Sequence, residues 1–278
     1  MAKRNRINIH RGNEENYNLI PHGNAYKPFI LIQDVPSLGR SSRLRGIKTG
    51  RQHEFLSDLE RNYFILLEFS AFVVDIREQF PLELKETLLI AEELGIKHPI
   101  HPITKKPITM TSDFCITLKK GDTTEDIIRT TKYKQDLLSR RVIEKFQIEK
   151  TYWHRKEINW GIVTEVEIDK IYSQNIADAL AYYDLSDYAG LSDIDEDEKE
   201  DLVIEFLKRL LVSDKTVRQI SRMFEQDVHL PKGAGIALFK HLIAQKYITI
   251  DLLQPLNIDQ YIRVELLKKS RMLGMGIS

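Results

Sequence analysis

Residues 109–134, TMTSDFCITLKKGDTTEDIIRTTKYK, contain two runs of alternating or apolar residues on either side of a short polar turn. The turn is the tripeptide Lys-Gly-Asp, and this composition between two such runs predicts a β-hairpin. Asp113 stands where the first strand begins, and Lys132 stands at the far end of the second strand. Antiparallel pairing therefore brings Asp113 and Lys132 toward each other.

The residues before this hairpin predict a helix followed by a strand. Ser57 and Glu60 have the spacing of a capping box, which marks a helix N-terminus. Residues 71–84, AFVVDIREQFPLEL, predict a strand that ends at Pro81. The helix carries an apolar stripe at i, i+3 and i+4 spacing, formed by Leu59, Tyr63, Phe64, Leu66 and Leu67.

The residues after the hairpin predict a second helix, 135–157, and a strand in the segment NWGIVTE at 159–165. The order is helix, strand, hairpin, helix, strand, which predicts an α/β domain over residues 1–170 with a mixed sheet flanked by helices. We expect the second helix to face the core with Leu138, Val142, Phe146, Ile148 and Tyr152.

The N-terminal segment is polar and basic. Residues 1–30 predict an arm that is flexible or lies over the surface of the first domain, and residues 28–55 predict a short strand followed by a glycine-containing basic loop. The loop residues are either ordinary solvated surface or, beside a nuclease site, groups that bind phosphate oxygens. They are Arg40, Arg43, Arg45, Lys48 and Arg51.

Residues 171–278 have a different pattern. The acidic stretch at 184–201 predicts an exposed connector or the first turn of a helix. Three amphipathic segments follow, at 200–212, 214–226 and 233–246, and residues 247–253 have strand character. This order predicts a mainly α-helical, winged-helix-like domain. Its basic residues, which either contact phosphates or form solvated faces, are Arg218, Arg222, Lys232 and Lys240.

The composition narrows the classes of protein. Lys plus Arg and Asp plus Glu both number 41, and this balance argues against binding DNA through bulk charge. The single cysteine, Cys115, excludes an intrachain disulfide and a cysteine-based zinc site. With neither an apolar leader nor an uncharged apolar run long enough to span a bilayer, we expect a cytoplasmic, nucleoid-associated protein without membrane contact.

A nuclease needs oxygen ligands for a divalent cation and a positive charge near the scissile phosphate. One arrangement takes a glutamate from a helix, an aspartate from the start of a strand and a lysine from the paired strand. Glu60, Asp113 and Lys132 fit that arrangement. Spacing alone, however, favours a structural interpretation, with Glu60 as a capping-box partner and Lys132 as a surface lysine.

Three stretches resemble the TnsA family, the endonuclease subunits of Tn7-like transposons. They are SDLERNYFILLEF with DIREQFPL (57–82), GIKHPI with TSDF (95–114) and EKFQIEKTYWHRKEINWGIVTE (144–165). The first is the most specific, because its residues and spacing recur together in that family. The segment QDVPSLGRSSRLRGIKTGR (33–51) also resembles the family's arm, and the resemblance covers roughly residues 28–170.

The resemblance implies a restriction-endonuclease-like fold that is activated by Mg²⁺ or Mn²⁺. Its catalytic positions fall on Glu60, Asp113 and Lys132, with Glu60, Asp113 and the backbone carbonyl of Thr131 as metal ligands. Lys132 would orient the hydrolytic water or stabilise the charged phosphorane. The products would be a 3′-hydroxyl and a 5′-phosphate.

Three positions leave alternatives open. The family has Gln or Glu where this chain has Thr130, whose hydroxyl would be a shorter and weaker metal ligand. Glu68, two helical turns after Glu60, either adds a carboxylate or is a surface residue. Lys134 would replace Lys132 if the hairpin register shifted by two.

The histidines, the cysteine and the tryptophans give weaker indications of a functional site. His98 and His101 lack a third ligand at zinc spacing and are expected to be loop residues near the site. Cys115 is expected to be buried, and Trp153 and Trp160 are expected in the core, although an aromatic ring can stack on a base.

The resemblance also implies partners. They are double-stranded DNA at transposon ends, a DDE-type transposase subunit of the TnsB kind that cuts the 3′ ends, and an AAA+ ATPase regulator of the TnsC kind. The regulator would contact the C-terminal domain, residues 171–278. The alternatives are a stand-alone restriction or repair nuclease and a catalytically impaired assembly or DNA-binding subunit.

Overall fold

The predicted hairpin forms the two inner strands of the main sheet in the structure, a computed structural model that describes residues 20–34, 40–186, 188 and 190–267. The chain divides into two compact units, Met1–Ile168 and Asp169–Ser278. The strands and helices of the first unit are β1 (Ser42–Arg45), β2 (Gln52–Phe55), α1 (Asp58–Phe69), β3 (Val73–Pro81), α2 (Leu84–Glu93), β4 (Thr111–Lys120), β5 (Thr123–Thr131), α3 (Arg140–Arg155) and β6 (Asn159–Val163).

Four of these strands form one mixed sheet in the order β3-β4-β5-β6. Pairing is antiparallel between β3 and β4 and between β4 and β5, and parallel between β5 and β6. The predicted mixed α/β architecture is therefore confirmed. The parallel pair is possible because α3 supplies the crossover that a parallel connection requires.

The sheet is packed on both faces, because neighbouring residues of β4 enter different apolar clusters. Phe114 and Ile116 pack with Phe55, Phe64 and Ile76 on one face. On the other face the intervening Cys115 packs with α2 and α3, in a cluster that includes Phe80, Ile90, Ile128, Ile148 and Trp153. Alternation along a strand explains how one short hairpin contributes to two cores.

The segment before α1 differs from its prediction. The described residues of 28–34 contain no strand, and the predicted loop contains the hairpin of β1 and β2. Gly46 begins its turn, where an added Cβ would lie 2.6 Å from Nε2 of His53. The hairpin was missed because its strands are polar and give no apolar alternation.

The part of the predicted arm that the structure describes packs against the first unit, which agrees with the second of the two alternatives. Ile20 and Tyr26 are buried, and the Tyr26 hydroxyl donates to the Glu78 carbonyl at 2.8 Å. The rest of the arm, residues 1–19, lies outside the described residues.

The helices of the first unit differ from the prediction in two ways. α2 was not predicted, and the second predicted helix begins at Arg140 rather than at 135 because residues Lys134–Leu138 form a 3₁₀ turn. Leu138 is consequently 90% exposed instead of buried, whereas Ile148 and Tyr152 lie in the core as predicted.

The second unit contains α4 (Lys170–Leu180), α5 (Glu196–Val212), α6 (Val217–Asp227), α7 (Ala234–Ala244), β7 (Ile248–Thr249) and β8 (Glu265–Leu266). The three predicted amphipathic segments form α5, α6 and α7, while α4 was not predicted. The acidic stretch supplies the first turn of α5, where Asp195 accepts the Glu198 N–H and carboxylates complement the helix dipole. β7 and β8 pair antiparallel after the helices; the winged-helix assignment stays a proposal.

No helix among the described residues has the length and apolar character that a membrane span requires.

Candidate active site

Glu60 is held in the first turn of α1 by the helix cap. Ser57 Oγ accepts the Glu60 N–H at 3.2 Å and donates to Glu60 Oε1 at 2.8 Å. The Leu56 N–H donates to Glu60 Oε2 at 3.0 Å. The carboxylate is 7% exposed and has a fixed direction, so its capping contacts and a role in a site are compatible.

Asp113 lies where the β4–β5 ladder opens. The last paired residues of that ladder are Phe114 and Arg129. Beyond them, Asp113 Oδ2 accepts the Thr131 N–H at 2.7 Å and the Thr131 hydroxyl at 2.9 Å. The side chain thus satisfies a strand N–H that has left the ladder.

Asp113 is close enough to Glu60 to disfavour the charge of Glu60. Burial and the nearby Asp113 raise the pKa of Glu60 to about 8. Burial also raises the pKa of Asp113, although the two Thr131 hydrogen bonds and the charge of Lys132 act in the opposite direction. The buried Glu60 and the half-buried Asp113, both with raised pKa values, are therefore a candidate site for a proton or a cation.

Lys132 is the lysine that the hairpin brings to this pair. Its charge acts on Asp113, its Nζ lies 3.9 Å from Asp136 Oδ2, and its N–H donates to the Val163 carbonyl at 3.0 Å. Lys134 lies on the exposed side of the turn, where its N–H donates to Glu165 at 2.8 Å. The register shift that would exchange the two lysines does not occur.

Gln79 of β3 also reaches the pair, and the sequence analysis did not single it out. Its Nε2 lies 3.4 Å from Glu60 Oε2, and a hydrogen bond from it lowers the pKa of Asp113. Gln79 Oε1 accepts from the Thr111 hydroxyl at 3.1 Å. The only sequence signal was its position inside DIREQFPL, which marked a family and not a contact.

Thr130 needs correction as a metal ligand. Its hydroxyl donates to Glu149 Oε1 at 2.5 Å, and Ser112 Oγ donates to the same oxygen at 2.6 Å. Trp153 Nε1 in turn donates to Ser112 Oγ at 2.8 Å. The Thr130 side chain therefore belongs to a buried network around Glu149, whose pKa burial raises to about 7. Glu149 was missed because it lies on α3, far from the hairpin in sequence.

Glu68 does not join the site either. Its Oε2 accepts the N–H groups of Ile47 and Lys48 at 2.8 and 3.2 Å, so it caps the turn between β1 and β2. Lys48 Nζ donates to the Ser70 carbonyl at 2.8 Å. The carboxylate and the lysine thus hold the hairpin on the end of α1.

The basic loop separates into structural and exposed residues. Arg51, with a side chain 8% exposed, forms a two-oxygen ion pair with Glu78, and Arg43 pairs with Glu54 at 2.9 Å. Arg51 and Lys48 therefore hold the fold together. Arg40 and Arg45 are exposed and remain candidates for phosphate contact.

The histidines and aromatic residues have structural surroundings. His98 contacts the Thr87 hydroxyl at 3.1 Å, and His101 Nδ1 accepts two N–H groups of its own loop. Cys115 and Trp153 are fully buried, and Trp160 packs at the edge of the same core.

In the second unit, Arg218 pairs with Asp259, and Lys240 lies over the Tyr182 ring at 4.9 Å. Arg222 and Lys232 are exposed. The four predicted basic residues therefore do not form one open patch, because two of them have intramolecular partners.

The donor set fits a hard divalent cation held by few protein ligands. Within the part of the chain that the structure describes, no three His, Cys, Asp or Glu residues converge on a metal position. Glu60 and Asp113 offer two carboxylates beside Thr131, and Mg²⁺ binds proteins through one or two carboxylates while retaining water. Such a cation would offset the cost of burying the two ionised carboxylates and the repulsion of Glu60 by Asp113.

Comparison with known proteins gives the same family for both units. A family model described as "TnsA-like endonuclease N terminal" matches residues 70–165, and one described as "TnsA endonuclease C terminal" matches residues 167–252. Asp113 and Lys132 lie inside the first match, and Glu60 precedes it. The chain is 43% identical over 155 residues to the transposon Tn7 transposition protein TnsA of Escherichia coli. That alignment spans 56% of this chain and 56% of the relative, about half the length of each.

Proposed function

Because the chain belongs to the TnsA-like endonuclease family, we propose that its N-terminal unit hydrolyses a phosphodiester bond of DNA at Glu60, Asp113 and Lys132. The observation that carries the proposal is the pair of the buried Glu60 and the half-buried Asp113, in which Asp113 raises the cost of ionising Glu60 and burial raises the pKa of both groups. Lys132 supplies an ammonium charge that acts on Asp113, and among the described residues Glu60 forms no ion pair.

The residues divide the chemistry among them. Glu60 and Asp113, with the Thr131 carbonyl, would hold Mg²⁺ or Mn²⁺. A bound cation of this kind lowers the pKa of water and neutralises charge on the phosphate. Thr131 fixes the direction of the Asp113 carboxylate through two hydrogen bonds. Lys132 orients the attacking water or stabilises the charge that develops on phosphorus.

The biological reaction that we propose is cut-and-paste transposition. The chain would cut the 5′ ends of the element, leaving a 3′-hydroxyl and a 5′-phosphate, while a DDE-type transposase cuts the 3′ ends. The C-terminal unit would dock on an AAA+ ATPase regulator. The name of the Escherichia coli relative, a transposition protein, supports this context, and the exposed Arg40 and Arg45 offer charges for the DNA backbone.

Thr130 motivates a second candidate, a catalytically impaired assembly subunit. The family pattern places an amide or carboxylate side chain at this position, and the Thr130 hydroxyl is engaged by Glu149. The remaining ligands, Glu60 and Asp113, are nevertheless present. A stand-alone nuclease is a third candidate, which would cut without partners.

The test is cleavage of DNA that carries transposon ends, by the chain together with its DDE-type partner in Mg²⁺. We expect 5′-strand cuts that disappear in Asp113→Ala and Lys132→Ala and persist in Lys134→Ala, the matched lysine control. Full 3′ cleavage without 5′ cuts would contradict the enzyme and favour the assembly subunit. Cleavage without the partner would identify a stand-alone nuclease.

A further inference from the structure

Besides a register shift between Val73 and Asp75, β3 departs from regular strand geometry at Gln79. Gln79 has a φ of 49°, a left-handed conformation that residues other than glycine rarely adopt. It is the one residue skipped between the paired positions Glu78–Phe114 and Phe80–Ser112, and it stands opposite Asp113. The distortion is therefore located directly at the candidate site.

The distortion changes which face the strands present. Ile76 and Phe80 are four residues apart and would share a face of a regular strand. They instead pack in the two clusters on opposite faces. On β4, Ser112 and Cys115 are three residues apart, yet both face the Trp153 side. Both strands thus change face at Gln79 and Asp113.

The orientation of the Gln79 amide is determined by its neighbours. The Nε2 group lies 3.4 Å from Glu60 Oε2 and also donates to the Asp113 carboxylate. The Thr111 hydroxyl supplies a donor for Oε1 at 3.1 Å. The side chain is 3% exposed, and its amide group donates between the two carboxylates.

We propose that Gln79 is a positioning residue that holds the carboxylates of Glu60 and Asp113 together in the arrangement that binds the divalent cation. The inference rests on the proposed function and deepens it. Glycine would adopt this backbone conformation without strain, so a role confined to the bend does not require glutamine. The amide nitrogen and the amide oxygen of Gln79 both form contacts, which points to a role for the side chain.

The test is Mn²⁺ binding by the full-length chain, measured by electron paramagnetic resonance without DNA or turnover. Gln79→Gly keeps the left-handed backbone and removes the amide. Loss of a group that orients a metal ligand weakens affinity by about 10- to 100-fold, and we expect a loss in that range. Thr111→Val, which leaves Gln79 but removes the donor to its Oε1, should cause a smaller loss.

The matched control is Glu157→Gly. Glu157 also has a left-handed backbone, with φ 57°, but follows α3 and is exposed. This variant should bind Mn²⁺ as the wild type does. If Gln79→Gly also binds as the wild type does, the positioning role is wrong while the proposed function stands. If Gln79→Gly does not fold, Thr111→Val tests the positioning role instead, and wild-type Mn²⁺ affinity in that variant contradicts the role. If the wild-type chain itself does not bind Mn²⁺, both the positioning role and the proposed function are wrong.

Discussion

Two carboxylate clusters, one around Glu78 and one around Gln79, lie at adjacent residues of β3. The pKa of the buried glutamate is lowered in the first cluster and raised in the second. At Glu78, burial alone would raise the pKa, but hydrogen bonds from Arg51 and His53 lower it to about 2. Around Gln79, burial and the neighbouring Asp113 raise the pKa of Glu60 to about 8. The two carboxylates are similarly buried, so burial does not explain the difference.

The difference lies in where the compensating charge comes from. Glu78 has a guanidinium group supplied by the chain itself, which forms hydrogen bonds to both of its oxygens. Glu60 accepts from Ser57, Leu56 and the Gln79 amide, all of them neutral donors. A buried charge is costly without a partner. The first cluster is therefore a structural ion pair, and we propose that the second binds a cation from solution.

Removing the built-in cation should have the largest effect. Arg51→Ala leaves the Glu78 carboxylate buried without its guanidinium partner, although the hydrogen bond with His53 remains. Loss of one partner of a buried ion pair costs about 3–5 kcal/mol. Urea unfolding measures the change in the free energy of unfolding. Arg45→Ala, an exposed arginine of the same hairpin, should change it by less than about 0.5 kcal/mol. Equal effects of the two variants would show that the Glu78 pair is not structural.

Supplying the missing cation should stabilise the second cluster. At a Mg²⁺ concentration about 100 times its dissociation constant, binding to the folded state adds about 2.7 kcal/mol. Thermal unfolding with and without EDTA measures the difference. The stabilisation should disappear in Asp113→Ala and persist in Asp122→Ala, an exposed aspartate in the turn of the same hairpin. Persistence in Asp113→Ala would place the cation elsewhere.

Without metal, the two clusters should respond to pH in opposite directions. The folded-state pKa of Glu60, about 8, lies above its ordinary value of 4.5, so stability falls as pH rises through this interval. The slope from one such group approaches about 1.4 kcal/mol per pH unit. Glu60→Gln should reduce the slope, leaving the contributions of Asp113, Glu149 and Glu68, whose pKa values burial also raises. The pKa of Glu78 is lowered, so its contribution to the stability of the protein is instead lost as pH falls from about 4.5 toward 2. An unchanged slope in Glu60→Gln contradicts the assignment.

The smallest effect should come from Thr130. Thr130→Val removes one of the hydroxyl groups that donate to Glu149 and should cost about 1–3 kcal/mol for the weakened buried bond, at the lower end because Ser112 remains. Mn²⁺ affinity should not change, because the hydroxyl is not a ligand in our account. A tenfold loss of affinity would restore Thr130 to the metal site.

The sequence was informative where its pattern was local and periodic. The hairpin of β4 and β5, the cap at Ser57 and the three helices α5, α6 and α7 all follow from such patterns. The polar strands β1 and β2 gave no alternation, and the prediction there was wrong. The 3₁₀ turn before α3 moved Leu138 out of the core, which helical periodicity alone does not anticipate.

The candidate site was predictable only in part, for a physical reason. Glu60, Asp113 and Lys132 are of residue types that do chemistry, and the family resemblance selected them. Gln79 stands between Glu78 and Phe80 in a predicted strand, where nothing in the sequence pattern distinguishes it. Only its left-handed backbone in the folded chain reveals that the strand changes face there. Glu149 reaches Thr130 through the core from α3, a contact that depends on helix packing.

The central claim is that Glu60 and Asp113 together hold a divalent cation. The most direct measurement is anomalous diffraction from crystals of the full chain soaked in Mn²⁺. We predict one strong anomalous peak between the two carboxylates, about 2.0–2.3 Å from an oxygen of Asp113, and its loss in Asp113→Ala. Absence of a peak there, with Mn²⁺ bound only at the acidic stretch before α5 or not at all, would contradict the account.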